Sequence, residues 1–212
     1  MTIAAPNGGK ETRIQREKRE LILEAALDVF SIHGLRGATL DKIAEAASMS
    51  KPHVIYYFGS KDAIYSALLE SLLEIWVSPL RELSADGDPM SEILTYMRRK
   101  LNMSRDMPRE SKLFATEILH GAPRTVATLS GDLKNLVDEK AAIITQWGTE
   151  GKIAEVDPHH LIFSIWAMTQ HYADFDVQVR SILTETRSEN LFDEADKFLT
   201  TMFTRTLRPA KA

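Results

Sequence analysis

Apolar residues recur at every third or fourth position along most of this chain, and the alternation typical of β-strands is absent. A period near 3.6 residues indicates amphipathic α-helices, so the pattern predicts an all-α protein with about nine helices. These helices are predicted at residues 14–33, 40–47, 51–58, 60–79, 90–106, 109–120, 124–150, 157–176 and 189–206. Loops are predicted at 86–89 and 181–188, and Gly131 is a candidate interruption of the longest helix.

The stretch from Thr39 to Phe58 has the layout of a helix-turn-helix. Thr39 is the expected N-cap of a short helix whose apolar stripe consists of Leu40, Ile43, Ala44 and Ala47. A turn at 48–50 leads to a second short helix, with Ser50 as its expected cap and Pro52 in its first turn. Its residues predicted to face the core are Val54, Ile55 and Phe58. In DNA-binding proteins this second helix enters the major groove.

The outward face of the second helix indicates a nucleic-acid interface. It consists of Lys51, His53, Tyr56 and Tyr57. Lys51 and Lys61 follow Ser50 and Ser60, which can cap helices, so each places a cation at the positive end of a helix dipole. A phosphate would be bound there by free N–H groups, the dipole and the ammonium together. Chance placement of two solvated lysines is the alternative.

Charge is divided unevenly along the chain, whose net charge is −4. Residues 1–61 carry nine Lys or Arg against seven Asp or Glu, a balance of +2, which leaves −6 for the remainder. The first basic residues are expected to form a loose arm along a phosphate backbone or in the minor groove, and they are Lys10, Arg13, Arg16, Lys18 and Arg19. An ordinary solvated tail is the alternative.

The segment 159–175 places polar groups inside an apolar pattern. Trp166, Gln170 and Asp174 are spaced four residues apart and share one helix face. A buried glutamine needs partners for its oxygen and its NH₂ group, and a ligand with an N–H beside a C=O supplies both. Trp166, with Trp76 or Phe114, offers flat apolar walls for a small planar heterocycle. The alternative is a core helix whose polar groups bind neighbouring protein atoms.

No motif indicates an enzyme. The chain has no cysteine, Gly-rich phosphate loop, HExxH or GxSxG motif, so neither a catalytic residue nor a cofactor is expected. A metal site is disfavoured because His159 and His160 are adjacent in a helix and point about 100° apart. The lack of cysteine suits a reducing cytoplasm, and neither an export signal nor a membrane span is indicated.

The N-terminal third resembles the signature of the TetR family of repressors. The resemblance is carried by Gly34, Gly37, Thr39, Ile43, Ala44, Ser50, Lys51, Tyr56, Tyr57, Phe58, Ser60 and Lys61. It implies a basic arm at 1–12, a three-helix DNA-binding domain at 13–60, and a helical ligand-binding and dimerisation domain at 61–212. The implied contacts to double-stranded operator DNA are Arg13, Arg16, Thr39, Ser50, Lys51, Pro52, His53, Tyr56, Tyr57 and Lys61. Pro52 and Gly59 depart from the family pattern, which leaves the operator sequence open.

Longer segments resemble the Rut-type repressors of pyrimidine utilisation within that family. They are SRDMPRESKLFATEILHGAP, GDLKNLVDEKAAII and GKIAEVDPHHLIFSIWAMTQHYADFDVQV. This resemblance implies a homodimer that leaves its operator when uracil or thymine binds. Gln170 would then read the base edge and Trp166 would bound the ring, with Trp76, Phe114 and Asp174 as further ligand contacts.

The last two helices carry more apolar residues than one small domain needs, which favours pairing through them in a homodimer. A purely intramolecular core is the alternative. The fourth helix would couple the two sites, since fifteen residues, or ~22 Å of helix, separate Lys61 from Trp76. We therefore expect a cytoplasmic regulator. Two other functions stay open: a TetR-type regulator with a different small-molecule effector, or a small-molecule-binding protein of pyrimidine metabolism that does not bind DNA.

Overall fold

The computed structural model describes residues 12–209, and all regular structure in this range is helical. The α-helices are α1 (Arg13–Gly37), α2 (Leu40–Ala46), α3 (Lys51–Phe58), α4 (Lys61–Arg81), α5 (Pro89–Asp106), α6 (Pro108–Leu119), α7 (Val126–Thr128), α8 (Lys134–Thr149), α9 (Pro158–Asp174), α10 (Asp176–Ile182), α11 (Glu185–Glu189) and α12 (Leu191–Thr206). A π-helical segment, Leu129–Leu133, joins α7 to α8. The prediction of an all-α fold is confirmed.

The long predicted helices are present, but two segments differ from their predictions. The predicted loop at 181–188 contains α11, and the helix predicted over 157–176 is divided at Phe175, which has φ −115° and ψ 27°. The helix predicted over 124–150 begins later and is irregular around Gly131, which lies in the π-helical segment. The sequence pattern did not reveal α11, because a helix of five residues is too short to give a clear apolar period.

The chain forms two compact units. The first comprises residues up to Trp76 together with Arg109–Ala127, and the second comprises Val77–Pro108 and the chain from Thr128 onward. α6 therefore belongs to the same unit as α1, α2 and α3. α4 runs without interruption from the first unit into the second. The functional boundary placed at Lys61 stays a prediction.

The buried face of α1 forms much of the core of the first unit. Ile22, Ala26 and Phe30 are at most 1% exposed. The Phe30 ring meets the ring of Tyr65 in α4 edge-on, with 4.9 Å between ring centroids. The helical run of α1 is broken at Gly34, whose φ of 62° lies in the left-handed region that favours glycine. The long part of α1 therefore stops at Gly34 as predicted, but a further short helical piece, which was not predicted, continues to Gly37.

The start of α1 corrects the prediction of a loose arm reaching Arg19. Thr12 and Gln15 form a capping box, in which each side chain bonds to the backbone N–H of the other residue. Arg13 and Arg16 consequently lie in the first turns of a helix rather than in an extended tail. Lys10 and the rest of the predicted arm before Thr12 lie outside the described residues.

Two groups of charged side chains hold α6 in the first unit. At its start, Arg109 pairs with Glu24 and Asp28 of α1, with 2.9 Å between Arg109 Nη2 and Glu24 Oε1. These pairs are exposed, and pairs of this kind contribute at most about 1 kcal/mol each. These pairs therefore define how α6 is oriented against α1 but add little to the free energy of unfolding.

At the end of α6, buried Glu117 joins α4 to the loop before α7. Its carboxylate accepts from the Arg124 backbone N–H at 2.9 Å and from the hydroxyl of Tyr65. Burial, followed by the charge of Glu117, raises the pKa of Tyr65 to about 12. The Arg124 guanidinium also donates to Asp62 at 2.7 Å. Glu117 and Arg124 therefore each contact a residue in the first turns of α4, Tyr65 and Asp62 respectively.

The core of the second unit lies among α5, α8, α9 and α12. Its most buried large side chains include Ile93, Trp147, Ile162 and Phe203. α9 begins as predicted, because the Asp157 carboxylate accepts from the His160 N–H at 3.0 Å and Pro158 occupies the first turn. The same arrangement of Asp and Pro begins α5.

α4 is long and apolar enough to cross a membrane by length and composition alone, but 67% of its apolar window is buried inside the protein. Burial to this extent is characteristic of a core helix. The apolar composition of α4 therefore reflects its packing and does not indicate a membrane span.

Replacing Phe30 with alanine should lower the free energy of unfolding by about 3–5 kcal/mol, because the change leaves a cavity between α1 and α4. Ile32, two residues further on, is 75% exposed, and Ile32→Ala should change the free energy of unfolding by about 0.5 kcal/mol or less. Urea unfolding at one fixed protein concentration measures both variants. Equal losses for the two would show that the buried face of α1 has been misassigned.

Candidate DNA-binding surface and ligand site

α2 and α3 form a helix-turn-helix with a tight, hydrogen-bonded turn. Thr39 Oγ1 accepts from the Lys42 N–H at 3.3 Å and so caps α2, as the sequence predicted. In the turn, the Met49 N–H donates to the Ala44 carbonyl at 2.8 Å, and Ser48 adopts a φ of 53°. Few conformations of a non-glycine residue are allowed in this region, so the angle between the two helices is narrowly defined.

The first turn of α3 differs from its prediction at Ser50. Ser50 is the N-cap by its backbone angles, but its side chain accepts no capping hydrogen bond. The reason is local: Pro52 has no N–H, and the N–H of His53 donates to the Ser50 carbonyl at 3.0 Å. The Ser50 hydroxyl is exposed and not committed to capping.

The outward face of α3 is exposed, as predicted, with one exception. Lys51, Pro52 and His53 are exposed, and Tyr56 is 71% exposed. Tyr57 is only half-buried, with 5.2 Å between its ring centroid and that of Tyr56. The N-terminal half of α3 and Tyr56 therefore form one accessible polar and aromatic surface.

The inward face of α3 is narrower than predicted. Val54 is fully buried and Phe58 is half-buried, but Ile55 is 41% exposed and does not belong to the core. Consecutive helical residues point about 100° apart, so Ile55 lies beside the buried face rather than on it. The prediction for Ile55 was wrong because an eight-residue helix holds too few apolar positions to define its buried side.

Arg19 joins α1 to the end of α3, a role that sequence reasoning missed. Its Nη1 donates to the Tyr57 carbonyl at 2.5 Å, and its guanidinium carbon lies 4.1 Å from the ring centroid of Phe58. A cation at the C-terminus of a helix satisfies a free carbonyl and interacts favourably with the dipole. Arg19 is therefore part of the folded domain and not of a free arm.

Lys51 and Lys61, which the sequence pattern treated alike, have different surroundings. Lys51 Nζ lies 2.9 Å from Asp41 Oδ2 in an exposed pair that contributes little and can exchange for a phosphate. Lys61 Nζ donates to the carbonyls of Leu35 and Ala38 at 2.7 and 2.9 Å. The Lys61 ammonium thus holds the connection between α1 and α2 against the start of α4.

The remaining predicted contacts at the N-terminus of the described chain are exposed. Arg13 Nε donates to Glu17 at 2.7 Å on the surface of α1, and Arg16 is also exposed. Ser60 caps α4 as predicted, since its hydroxyl accepts from the Ala63 N–H at 3.1 Å.

Three of the predicted ligand contacts lie on α9 in the second unit. Trp166 is half-buried, and its Nε1 donates to the hydroxyl of Tyr96 in α5 at 2.5 Å. Gln170, one turn further, is half-buried, and its amide forms no hydrogen bond with any residue from 12 to 209. Asp174, another turn on, is half-buried.

Lys100 of α5 is a second residue that the sequence analysis missed. It is 3% exposed, and burial lowers its pKa to about 7, while the carboxylate of Asp174 attracts the ammonium and opposes that shift. The signal was available, because Lys100 lies on the apolar stripe of α5 that includes Ile93, Met97 and Leu101. A lysine on a buried stripe is rare unless it has a partner.

The other two predicted ligand contacts belong to the first unit. Trp76, at the end of that unit's part of α4, and Phe114 of α6 are both buried.

The adjacent histidines of α9 have separate surroundings. His159 Nε2 lies 3.1 Å from Asp138 Oδ1 of α8, and the His160 ring packs against Phe163 with 6.2 Å between centroids. Between residues 12 and 209, no group of three His, Cys, Asp or Glu side chains is arranged to hold a metal ion.

Two family profiles match the chain in succession. Residues 22–68 match the profile described as "Bacterial regulatory proteins, tetR family", and residues 69–210 match "YcdC-like protein, C-terminal region". The first match covers the helix-turn-helix, and the second covers most of α4 and all later helices.

Individual proteins give the same result. The chain is 48% identical to the HTH-type transcriptional regulator RutR of Escherichia coli (strain K12) over 189 residues, which are 89% of each protein. A transcriptional regulator from Streptomyces coelicolor has a TM-score of 0.70 at 22% identity, over 91% of this chain and 99% of that one. AibR, solved with isovaleryl coenzyme A and operator DNA, has a TM-score of 0.67 at 19% identity, over 91% and 100%. These structures share the fold, and the family profiles with the 48% identical relative show that the chain belongs to the TetR family of bacterial transcriptional regulators.

Proposed function

We propose that this regulator represses genes of pyrimidine catabolism by binding operator DNA through α3, and that uracil or thymine releases it. The observation that carries the proposal is the Gln170 amide on α9, half-buried beside Trp166 without a hydrogen bond to any of residues 12–209. The 48% identity to the HTH-type transcriptional regulator RutR supports the regulatory part of the proposal.

The DNA-binding part of the proposal is supported by the exposed surface of α3. Lys51, His53 and Tyr56 would enter or border the major groove, while Ser50 and Pro52 lie in the first turn next to the phosphates. Further contacts proposed for the DNA backbone are Arg13, Arg16, Thr39, Tyr57 and Lys61. Thr39 and Lys61 would serve from positions fixed by their own hydrogen bonds inside the domain.

The ligand-binding part rests on complementary hydrogen bonding. The Gln170 amide would accept from a ring N–H and donate to the neighbouring carbonyl, which is the edge that uracil and thymine share. Trp166, held by Tyr96, would bound the flat face of the ring. Asp174, Trp76 and Phe114 stay proposed ligand contacts.

A homodimer would be formed through the outward faces of α9 and α12. Phe163 and Met168 of α9 and Phe198 of α12 are exposed, with Phe198 at 63%. Large exposed apolar side chains on two helices of one unit are typical of an interface. A two-fold dimer would place two α3 helices about one DNA turn, ~34 Å, apart.

Release of DNA would require the ligand to change the position of α4 and, through it, the distance between the two α3 helices. α4 is continuous from Lys61 to Arg81 and can therefore carry such a displacement. A coupling of about 3 kcal/mol weakens the operator complex roughly 150-fold.

The most direct test is an electrophoretic mobility shift with the promoter DNA next to the protein's own gene. We expect a retarded band that disappears with uracil or thymine and persists with adenine, a planar purine without the same edge. The same protein should not consume uracil. A band that withstands saturating uracil contradicts the proposed effector, and failure to shift this DNA contradicts the proposed operator contact.

Lys51→Ala and Lys61→Ala should both weaken binding to all duplexes, because phosphate contacts carry no base information. Each loss should reduce the slope of log K against log salt concentration by about 0.9. Lys61→Ala should also lower the free energy of unfolding by about 1–3 kcal/mol, since the Leu35 and Ala38 carbonyls lose their donor. Fluorescence anisotropy at several salt concentrations and urea unfolding measure the two effects.

Lys112→Ala is the matched control, because this lysine is exposed on α6 and has the same charge. It should leave both the salt slope and the stability unchanged. The assignment of Lys51 and Lys61 to phosphates is wrong if their variants bind DNA like the control.

A further inference from the structure

The exposed face of α9 carries no Asp, Glu, Lys or Arg. The exposed residues between positions 160 and 175 recur at the spacing of one helix face, and they are His160, Phe163, Ala167, Met168, His171 and Phe175. On α12, by contrast, the exposed residues include Asp193, Lys197 and Arg205. A two-fold interface places a patch against its own copy, so a charge in it often faces a like charge. The uncharged stripe of α9 is therefore suited to contact a second copy of the chain.

His171 lies between two exposed apolar residues of this stripe. Met168, one turn before it, is 37% exposed, and Phe175, one turn after it, is 53% exposed. The imidazole ring stacks on the Phe175 ring, with 5.0 Å between centroids and 20° between planes. In a single subunit this exposed ring can carry a proton at little cost, because water solvates it and both an aromatic face and the end of a helix attract a cation.

The other two histidines of α9 have acidic partners. His159 Nε2 lies 3.1 Å from Asp138 Oδ1 of α8. The backbone N–H of His160 donates to Asp157, whose carboxylate is also attracted by the charge of the His160 ring. The ring of His171 interacts with aromatic rings and, among residues 12–209, with no charged side chain. Nothing described in the subunit would balance a charge on His171 once water is excluded.

Charged side chains on the helices that contact α9 form pairs of their own. The pairs are Lys134–Asp138 and Glu139–Lys140 in α8, Arg98–Asp196 between α5 and α12, and Asp176–Arg180 in α10. Lys100 of α5 is attracted by Asp174 of α9. Tyr172, next to His171, stays neutral near and below neutral pH, because burial raises its pKa.

We propose that His171 makes the homodimer sensitive to pH, because its neutral ring packs in the contact between two copies and its protonation separates them. The inference rests on the homodimer of the proposed function. Burying an unpaired imidazolium among apolar side chains is costly, so the dimer holds fewer protons than two separate subunits. Association is therefore strong above the pH range in which histidines ordinarily titrate and is lost as the pH falls through that range.

Loss of the dimer would also weaken operator binding. Two α3 helices spaced by one DNA turn are available only in the dimer, and a single subunit would contact one half-site. A fall in pH would thus release the operator without any pyrimidine. The homodimer would respond to two independent signals, one through the ligand site and one through the contact between its copies.

The test is sedimentation velocity of the full-length protein at about pH 7.5 and about pH 5.5, at one ionic strength. We expect the Kd of the dimer to rise about 100-fold, since each of two histidines must release a proton and contributes about tenfold over this interval. Circular dichroism at both pH values verifies that the subunit stays folded. An unchanged Kd overturns the inference.

Two substitutions at His171 give opposite expected results. His171→Gln keeps a neutral polar side chain, so its dimer should show a Kd that changes less than about threefold between the two pH values. His171→Lys carries its charge at both, so it should be mostly monomeric even at about pH 7.5. His33→Gln is the matched control, since His33 is an exposed histidine of the first unit, and it should keep the pH dependence of wild type.

The failure of this inference is distinguishable from the failure of the proposed function. If wild-type protein is dimeric but His171→Gln keeps its full pH dependence, or His171→Lys dimerises like wild type, the role of His171 is overturned while the homodimer stands. If wild-type protein is monomeric at about pH 7.5, both are overturned.

Discussion

The position of α3 depends on a contact that its own sequence does not provide. A helix of eight residues is too short to be stable in water, and Val54 is the residue of α3 that is buried completely. Arg19 of α1 secures its C-terminal end by donating to the Tyr57 carbonyl at 2.5 Å and stacking on Phe58. With that end held, the N-terminal turn with Lys51 stays exposed. The proposed reading of DNA therefore depends on α1 as much as on α3.

The proposed release of DNA on ligand binding also depends on the first turn of α4. Lys61 holds the Leu35 and Ala38 carbonyls, and Asp62 pairs with Arg124. The hydrogen bonds from the charged Lys61 to these carbonyls are worth about 1.5–3 kcal/mol each, and the exposed Asp62–Arg124 pair is worth at most about 1 kcal/mol. A displacement of α4 that weakens one or two of them is thus comparable to the coupling of about 3 kcal/mol that a 150-fold change in operator affinity requires. A small movement would be sufficient.

The sequence predicted the features that local spacing determines. The long helices, the cap at Thr39, the Asp157–Pro158 start of α9 and the break in α1 at Gly34 all follow from neighbouring residues, and all are present. Features that depend on contacts between distant segments could not be predicted in this way. Nothing near Arg19 or Lys61 in the sequence indicates that their partners lie 38 and 26 residues away.

Lys100 is an intermediate case. Its place on an apolar stripe was visible in the sequence, but its relation to Asp174 depends on how α5 meets α9. Ile55 was predicted to be buried but is exposed. Apolar spacing identifies the buried face of a long helix, but α3 is too short for that spacing to define which side is buried. The sequence was sufficient to predict which residues belong to the candidate site. Their hydrogen-bonding partners could be identified only from the folded structure.

The coupling between the two sites is tested most directly by titrating the protein with uracil in the calorimeter, with and without saturating operator DNA. Linkage requires that DNA weaken uracil binding by the same factor by which uracil weakens DNA binding. We predict a common factor of about 150. An unchanged dissociation constant for uracil in the presence of operator would contradict the coupling, even if the protein binds uracil and operator DNA separately.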